Sequence, residues 1–526
     1  GVPFGLAAEG LAAPVVDDDD EWAVYRRERR ALRRYDVPRF TVVGDETVLR
    51  HDGDPVTELP DVSPVERVRR RVHTLSEADL SEQLDYLRLA FDSMSLSHAA
   101  APTVPSVSAG RAEMWTTERT PRLLFDRLTD ATVSDGDDQS WLLRDYRETV
   151  SGRGVHVTTL ADTLYWGRLG VALFGAGLAA TTGEPRYHEF VEETVRPIKT
   201  TLAEATPYPD TGIGGTSGVG ALVYGFTKLA QLLERPRYLD HAERAAELFT
   251  DERIAADDSY DVVQGGAGGI LGLLALHDET GSSAALGRAR AVGDHLLSTA
   301  ETVHPESGAE TTGTVWSTIQ SEPLCGVSHG VGGIAYALER LGRQTGEDRY
   351  VTTARDAIRF ENWAYDESAQ NWPDRREGSD DPFARGWCTG RAGIGLTRLG
   401  LLRETADNIG AAVEHGEGPL ARDVRRALSG FDDRVLSDRD HPCCGNAGRV
   451  EFLTEVDRAG VDGDYEAQAK RLADAMTRRA ERAGRFTAPW VTDQWTNPTF
   501  FAGDAGIGYS LLRLANPALP SVLLFE

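Results

Sequence analysis

The chain has 526 residues, and its 83 acidic residues against 56 basic residues give a formal net charge of −27. This charge argues against nucleic-acid binding, which requires a basic surface. The sequence has no apolar run of roughly 18 residues, the length that a membrane-spanning helix needs, and no recognisable signal peptide, so we expect a cytoplasmic protein.

The basic residues are almost all arginine, because lysine occurs only at Lys199, Lys228 and Lys470. Aspartate is abundant, with four in succession at 17–20. An acidic surface with little lysine is typical of proteins that stay soluble in high salt, where repulsion between charges is screened. We interpret the composition as halophilic adaptation; the alternative is an acidic cytosolic protein from a GC-rich genome.

Downstream of residue 155, a Gly-x-x-Gly pattern occurs seven times at intervals of roughly 50 to 65 residues, which predicts one repeated structural unit. The first glycines are Gly167, Gly215, Gly265, Gly330, Gly390, Gly445 and Gly503. Each pattern precedes an apolar run that is typical of a buried helix. In most copies a second run follows, whose apolar and charged residues alternate as in a helix with one wet face.

The repeated unit is therefore a helical hairpin with an inner apolar helix and an outer amphipathic helix. Seven hairpins can stack as an open solenoid or close as an α/α toroid. We predict an all-α fold with a toroid over residues 155–526 and a smaller, separate domain over residues 1–150. Most of the paired glycines are explained by close packing at a crowded ring centre.

Cysteine or histidine stands directly before three of the glycine patterns. Cys388, Cys443 and Cys444 offer three thiolates at the start of two repeats, and His329 precedes a third. Catalytic zinc usually has three protein ligands and an open fourth position, and thiolates favour zinc among the common metals. We therefore predict a Zn²⁺ site at the three cysteines.

Other roles for these residues stay open. The three cysteines are small apolar side chains if no metal binds. His441, two residues before Cys443, could replace one of the ligands. Cys325, four residues before His329, is most simply a buried cysteine, and Trp387 is a packing residue rather than a catalyst.

The motifs YDVVQGGAGGI, SHGVGGI, GWCTG, CCGNAG and FFAGDAGIGYSLL resemble those of the lanthionine synthetase C-like cyclases. The resemblance covers all seven repeats. It implies a toroid of seven inner and seven outer helices around a catalytic zinc ion, whose ligands map onto Cys388, Cys443 and Cys444. Cys444 departs from the usual family pattern, which has histidine there; three cysteine ligands resemble a subset of the class II lanthipeptide synthetases.

The N-terminal region has a resemblance of its own. YDVPRF at 35–40 and the stretch 65–91 resemble the end of the dehydratase domain that precedes the cyclase in class II enzymes. Residues 1–150 show no phosphate-binding lysine or metal-binding aspartate set of a kinase-like site. We therefore expect no dehydration by this chain alone, and a dehydratase domain or chain is an expected partner.

The implied reaction is the addition of a peptide cysteine to dehydroalanine or dehydrobutyrine, with a thiolate made available by zinc. The resemblance assigns His329 as the acid that protonates the enolate and Asp261 as the residue that orients it. Alternatively, His329 is a buried structural group and Asp261 only caps the helix that follows. Arg385 is a candidate for holding the enolate or the Asp261 carboxylate.

The predicted function is cyclisation of a dehydrated precursor peptide to form (methyl)lanthionine rings, as in the biosynthesis of peptide antibiotics. One alternative is the addition of a small thiol such as glutathione to dehydroamino acids. A second is a non-catalytic, peptide-binding toroid in which zinc is a structural clip with four ligands. A third, a toroidal glycosidase, would need two opposed carboxylates, for which Asp261 and Asp504 are the candidates.

Overall fold

The computed structural model divides the chain into two compact units, Gly1–Val104 and Pro105–Glu526. It describes residues 24, 27, 39–44, 46–51, 53–58, 63–74, 76, 80, 115–135, 138–149, 152–305, 311–379, 381–489 and 496–526. None of the helices in these ranges combines the length and the apolar composition that crossing a bilayer demands.

The elements whose bounds are described in the first unit are a small antiparallel sheet and the helix α1. The sheet order is β1-β2-β3, and the helix α1 begins after Ser63, whose hydroxyl accepts a hydrogen bond from the backbone N–H of Glu66. The elements are β1 (Phe40–Thr41), β2 (Val48–His51), β3 (Asp54–Glu58) and α1 (Pro64–Thr74). Most of the two stretches that resemble a dehydratase, at 35–40 and 65–91, lies outside the described residues.

The second unit is mostly helical, and its described residues also form three two-stranded antiparallel sheets. Its strands are β4 (Val133–Asp135), β5 (Asp138–Ser140), β6 (Leu142–Thr149), β7 (Gly152–Thr159), β8 (Glu301–Val303) and β9 (Gly313–Val315), which pair as β4–β5, β6–β7 and β8–β9. Its helices are α2 (Thr120–Asp130), α3 (Arg168–Thr182), α4 (Pro185–Leu202), α5 (Val219–Leu232), α6 (Arg237–Glu247), α7 (Asp251–Ala255), α8 (Gly266–Thr280), α9 (Ser283–Ser298), α10 (Val331–Thr345), α11 (Asp348–Ala364), α12 (Arg391–Arg403), α13 (Ile409–His415), α14 (Gly418–Ser429), α15 (Asn446–Arg458), α16 (Tyr465–Ala483) and α17 (Asp504–Ala515).

Seven of these helices form a closed inner ring. The helices α3, α5, α8, α10, α12, α15 and α17 each pack against the next, and α17 packs against α3. An outer helix packs on each of them, in the order α4, α6, α9, α11, α14, α16 and α2. The closure confirms the predicted toroid and excludes an open solenoid.

The seventh outer helix comes from the N-terminal side of the ring rather than from its end. The helix α2 packs on α17, with Leu124, Phe125 and Leu128 buried. Our sequence analysis assigns these residues to a separate domain over 1–150, whereas the structure places the division after Val104. The physical reason is that the inner helix α17 needs an apolar partner, and among the described residues only a one-turn 3-10 helix, Val522–Leu524, follows it.

The glycine patterns mark where the loops before the inner helices fold tightly against the first helical turn. A Cβ on Gly393 would lie 1.9 Å from the carbonyl oxygen of Trp387. In the second copy, Gly218 rather than Gly215 immediately precedes the inner helix, because Gly215 lies in the loop, where a Cβ would meet the backbone of Gly268 at 2.7 Å. The loops that these glycines allow to approach carry the candidate site.

Candidate metal centre

The loops before successive inner helices are joined by backbone hydrogen bonds. The N–H of Val262 donates to the carbonyl of Ser328, and the N–H of Ser328 donates to the carbonyl of Cys388. The N–H of Cys388 donates to the carbonyl of Cys443, whose own N–H donates to the carbonyl of Phe501. This chain of bonds brings residues from five repeats to one end of the ring.

The three cysteines meet at this end. The Sγ atoms of Cys388 and Cys444 are 3.0 Å apart, and those of Cys444 and Cys443 are 3.4 Å apart. All three lie within 4.8 Å of one another, and Cys388 and Cys443 are buried. In the described residues, no other group of at least three histidine, cysteine or acidic side chains has the spacing of a metal site.

The pKa values of the three thiols favour a bound cation. Hydrogen bonds from Cys443 and Cys444 lower the pKa of the Cys388 thiol well below its usual value, and the interaction with Cys388 raises the pKa of Cys443. These opposite directions have one cause, because thiolates this close repel one another and ionisation of one sulfur disfavours ionisation of the others. A divalent cation would let all three ionise, and a soft three-sulfur donor set fits zinc.

Asp261 and His329 form a close pair on two neighbouring loops. Nδ1 of His329 lies 2.6 Å from Oδ2 of Asp261, whose other oxygen accepts the backbone N–H groups of Gln264 at 2.7 Å and Gly265 at 3.3 Å. Asp261 is fully buried, while 20% of the His329 side chain is exposed. Asp261 therefore contacts both the imidazole of His329 and the backbone turn before α8, whose N-cap residue is Gly265.

A cavity of about 700 Å³ opens beside the sulfurs and is lined by Cys388, Cys444 and Arg385, among others. Arg385 is an exposed side chain. It makes no hydrogen bond to Asp261, whose side-chain partners are His329 and the two backbone N–H groups. The structure thus places Arg385 on the wall of this cavity rather than at the Asp261 carboxylate.

The family model described as lanthionine synthetase C-like protein matches residues 158–524. The chain belongs to the lanthionine synthetase C-like family. Among solved structures, nisin cyclase is similar with a TM-score of 0.51 and 16% identity, over 69% of this chain and 92% of that chain. This similarity shows that the two proteins share a fold. The fold is a helical toroid, in agreement with the closed ring of inner helices from α3 to α17.

Two further similar structures are more distant. The Lin0763 protein from Listeria innocua has a TM-score of 0.37 and 14% identity, covering 56% of this chain and 82% of that chain. Cellobiose 2-epimerase from Bacillus thermoamylovorans has a TM-score of 0.33 and 10% identity, covering 59% of this chain and 86% of that chain. A comparison with curated protein sequences finds no match.

Two other candidates for this lanthionine synthetase C-like site stay outside the sulfur cluster. Nδ1 of His441 is 3.0 Å from the carbonyl oxygen of Phe501, and burial lowers the pKa of His441 to about 4. Cys325 is buried, and burial raises the pKa of its thiol well above the usual range. Neither residue belongs to the group of three sulfurs.

The sequence did not indicate a set of polar residues, Asp374, Arg376 and Thr389, next to Cys388, of which Asp374 and Arg376 line the same cavity. The hydroxyl of Thr389 lies 3.8 Å from the Cys388 sulfur and donates to Asp374 at 3.4 Å. Asp374 in turn pairs with Arg376 at 2.6 Å. Asp374 and Arg376 precede the GWCTG motif in a loop without a counterpart in other repeats, so no periodic signal points to them.

Aromatic residues at repeat-equivalent positions lie next to the sulfur cluster. Tyr165 and Phe501 each lie two residues before a helix-starting glycine, as Cys388 and Cys443 do. Their rings stack at 5.1 Å, and Trp387 contacts Phe501 at 5.2 Å. Burial and the neighbouring sulfurs raise the pKa of Tyr165 well above its usual value, so its hydroxyl stays a donor. Extending the repeat comparison to all seven copies would have found Tyr165 and Phe501.

Proposed function

We propose that this chain is a zinc-dependent lanthipeptide cyclase, which adds cysteine thiols of a dehydrated peptide to dehydroalanine or dehydrobutyrine. The observation that carries the proposal is the set of three sulfurs within 4.8 Å at one end of the ring. The Asp261–His329 pair lies on the adjacent loops, which are tied to Cys388 by backbone hydrogen bonds. Family membership supports the same reaction.

Cys388, Cys443 and Cys444 would hold the zinc ion. Bound zinc supplies the positive charge that makes a substrate thiol ionise at neutral pH, where a free cysteine is mostly protonated. Three protein ligands leave a position open, as catalytic rather than structural zinc sites do. This open position argues against a purely structural clip, since neither His441 nor Cys325 completes the group.

His329 would supply the proton that completes the addition. The sulfur forms a bond to the β-carbon of the dehydro residue, and the electron pair of the carbon–carbon double bond moves to give an enolate. Because Nδ1 of His329 is held by Oδ2 of Asp261 at 2.6 Å, Nε2 is the ring nitrogen that would exchange protons with the substrate. Protonation of the α-carbon by His329 then gives the thioether, and the proton lost from the thiol balances the one delivered.

Arg385 would stabilise negative charge on the substrate carbonyl, because it is an exposed cation on the cavity wall shared with Cys388 and Cys444. Thr389 and Asp374 would hold the Cys388 sulfur in place. The cavity of about 700 Å³ is large enough for several residues of a peptide.

The substrate would be a precursor peptide whose serine and threonine residues have already been dehydrated. The N-terminal sequence resemblance supports a class II assignment, in which the dehydratase is a further domain or a partner chain. The acidic composition supports function in high salt. The glycosidase alternative lacks support, since Asp504 is 4% exposed and does not line the cavity beside the sulfurs.

Cyclisation of a pre-dehydrated model peptide tests the proposal. The peptide carries one cysteine and one dehydroalanine, and free thiol is alkylated and counted by mass spectrometry. We expect the zinc-loaded chain to remove the thiol without a change in peptide mass, because addition neither gains nor loses atoms. A thiol that persists at the rate of the enzyme-free control would contradict the proposed function; rapid loss of added glutathione with a peptide lacking cysteine would instead favour the small-thiol reaction.

A further inference from the structure

A second cleft, of about 640 Å³, lies away from the sulfur cluster between the outer helices α11 and α14. Its floor is apolar and includes Ile358, Leu402 and Leu420. The inner helices α10 and α12 contribute the rest of the base. None of the residues of this cleft takes part in the proposed cyclisation.

The cleft is basic although the chain is strongly acidic. Four arginines line it against two glutamates, namely Arg343, Arg355, Arg359, Arg422, Glu339 and Glu417. Arg355 is 64% exposed and reaches a carboxylate only at 4.0 Å, on Glu339. The described contacts of the Arg422 side chain include a hydrogen bond at 3.4 Å to its own helix, at the carbonyl of Gly418. Both guanidinium groups are exposed and make only these long contacts, so each has N–H groups that can bind an anion.

The same cleft holds unused acceptors. Glu339 is 2% exposed, and its Oε2 has no hydrogen-bond partner, while its Oε1 pairs with Arg343. Oδ1 of Asn362 is also buried without a partner. Buried acceptors without partners are costly, so a ligand that brings N–H donors would be favoured here.

The first turn of α14 adds a third feature that attracts negative charge. Glu417, Gly418, Pro419 and Leu420 line the cleft, and Glu417 at the N-cap makes no side-chain cap. The helix dipole at this terminus favours carboxylates, although Pro419 contributes no N–H and the Glu417 carboxylate lies at the same terminus. The cleft lining contains no aromatic side chain on which a nucleic-acid base could stack.

We propose that this cleft binds an acidic segment of the peptide substrate, at a distance from the reacting residues. Carboxylates of the segment pair with Arg355 and Arg422, backbone N–H groups meet Glu339 and Asn362, and apolar side chains rest on the floor. The inference rests on the proposed function in that it takes the substrate to be a peptide. It assigns the cleft the role of holding the substrate while the cysteines are processed in turn.

Direct binding tests the inference without any turnover. A fluorescein-labelled peptide of alternating glutamate and leucine is titrated with the whole chain, and binding is followed by anisotropy at several salt concentrations. We expect the charge-reversal variant Arg355→Glu/Arg422→Glu to bind the peptide at least about tenfold more weakly. The two new carboxylates would repel the glutamates of the peptide, which the arginines attract. Wild-type affinity should fall with rising salt.

Matched controls separate this cleft from general charge effects. Arg478→Glu changes another exposed arginine, on α16, and should leave the affinity unchanged. A peptide with glutamine in place of glutamate should bind at least about tenfold more weakly to the wild type. Equal affinity of the double variant and the wild type, equal binding of the glutamine peptide, or complete displacement by inorganic phosphate at low concentration would overturn the inference.

The outcome for the cleft is distinguishable from the outcome for the reaction. Cyclisation of the short model peptide without acidic residues is measured on the same proteins. Normal cyclisation with no effect of the double variant on peptide binding would overturn the cleft assignment alone. Binding lost in the double variant, with no cyclisation by the wild type, would uphold the cleft and overturn the proposed reaction.

Discussion

His329→Asn is expected to lower the rate of thioether formation by about 10²–10⁴-fold, the range typical for loss of a general acid. The asparagine side chain is small enough to remain beside Asp261, but its amide cannot donate a proton to the enolate near neutral pH. His329 is not one of the three sulfur ligands, so bound zinc should stay at the wild-type level. The rate is measured on the pre-dehydrated peptide by alkylation of the remaining thiol.

Two further variants sharpen this experiment. Asp261→Asn should also lower the rate, because the imidazole loses the carboxylate that fixes its Nδ1–H tautomer. His415→Asn, at an exposed histidine of α13 that is remote in sequence from the site, should have no effect. A His329→Asn protein with wild-type rate would rule out the proton-donor role, and one that loses its zinc would show a structural role instead.

Arg398→Met is expected to lower the free energy of unfolding by about 3–5 kcal/mol, the cost of removing one partner from a buried ion network. Arg398 pairs with Glu361 and, at 3.2 Å, with Asp423, and all three side chains are at most 1% exposed. Burial raises the pKa of both carboxyl groups. Without the guanidinium of Arg398, the carboxyl groups of Glu361 and Asp423 would be buried with no positive charge beside them.

The network also supports the site. Glu361 accepts the backbone N–H of Gly326 at 2.7 Å, three residues before His329, so Arg398→Met should loosen this loop as well. Stability is measured by urea denaturation in high salt. Arg471→Met removes an exposed arginine that pairs with Asp433 and should cost less than about 1 kcal/mol. Equal midpoints for the two variants would contradict the assigned importance of the buried network.

The repeat pattern allowed the ring and the cysteine cluster to be predicted from sequence. The glycines are required because each loop folds back on the first turn of its helix, as at Gly393. Positions just before the glycines therefore converge, and the structure brings Cys388, Cys443 and Cys444 together. The periodicity is a local property of each repeat, so it can be read without knowledge of long-range contacts.

Features that depend on long-range packing could not be read in this way. The helix α2 completes the outer ring through contact with α17, more than three hundred residues further along the chain, and nothing in its own pattern identifies that partner. Asp374 and Arg376 reach the Cys388 sulfur through Thr389, from a loop outside the repeat. In the second repeat, Gly215 lies in the loop against the backbone of Gly268 on helix α8, and the helix begins after Gly218, a difference that depends on a contact between repeats.

The metal content of the purified protein tests the central claim most directly. The wild type, Cys444→Ala and the control Cys325→Ala are purified in high salt and analysed for bound metal; Cys325 is buried but lies outside the sulfur group. The three-thiolate site predicts one equivalent of zinc in the wild type and in Cys325→Ala, and zinc that is lost or greatly weakened in Cys444→Ala. A wild type without zinc, or a Cys444→Ala variant that retains it fully, would contradict the assignment.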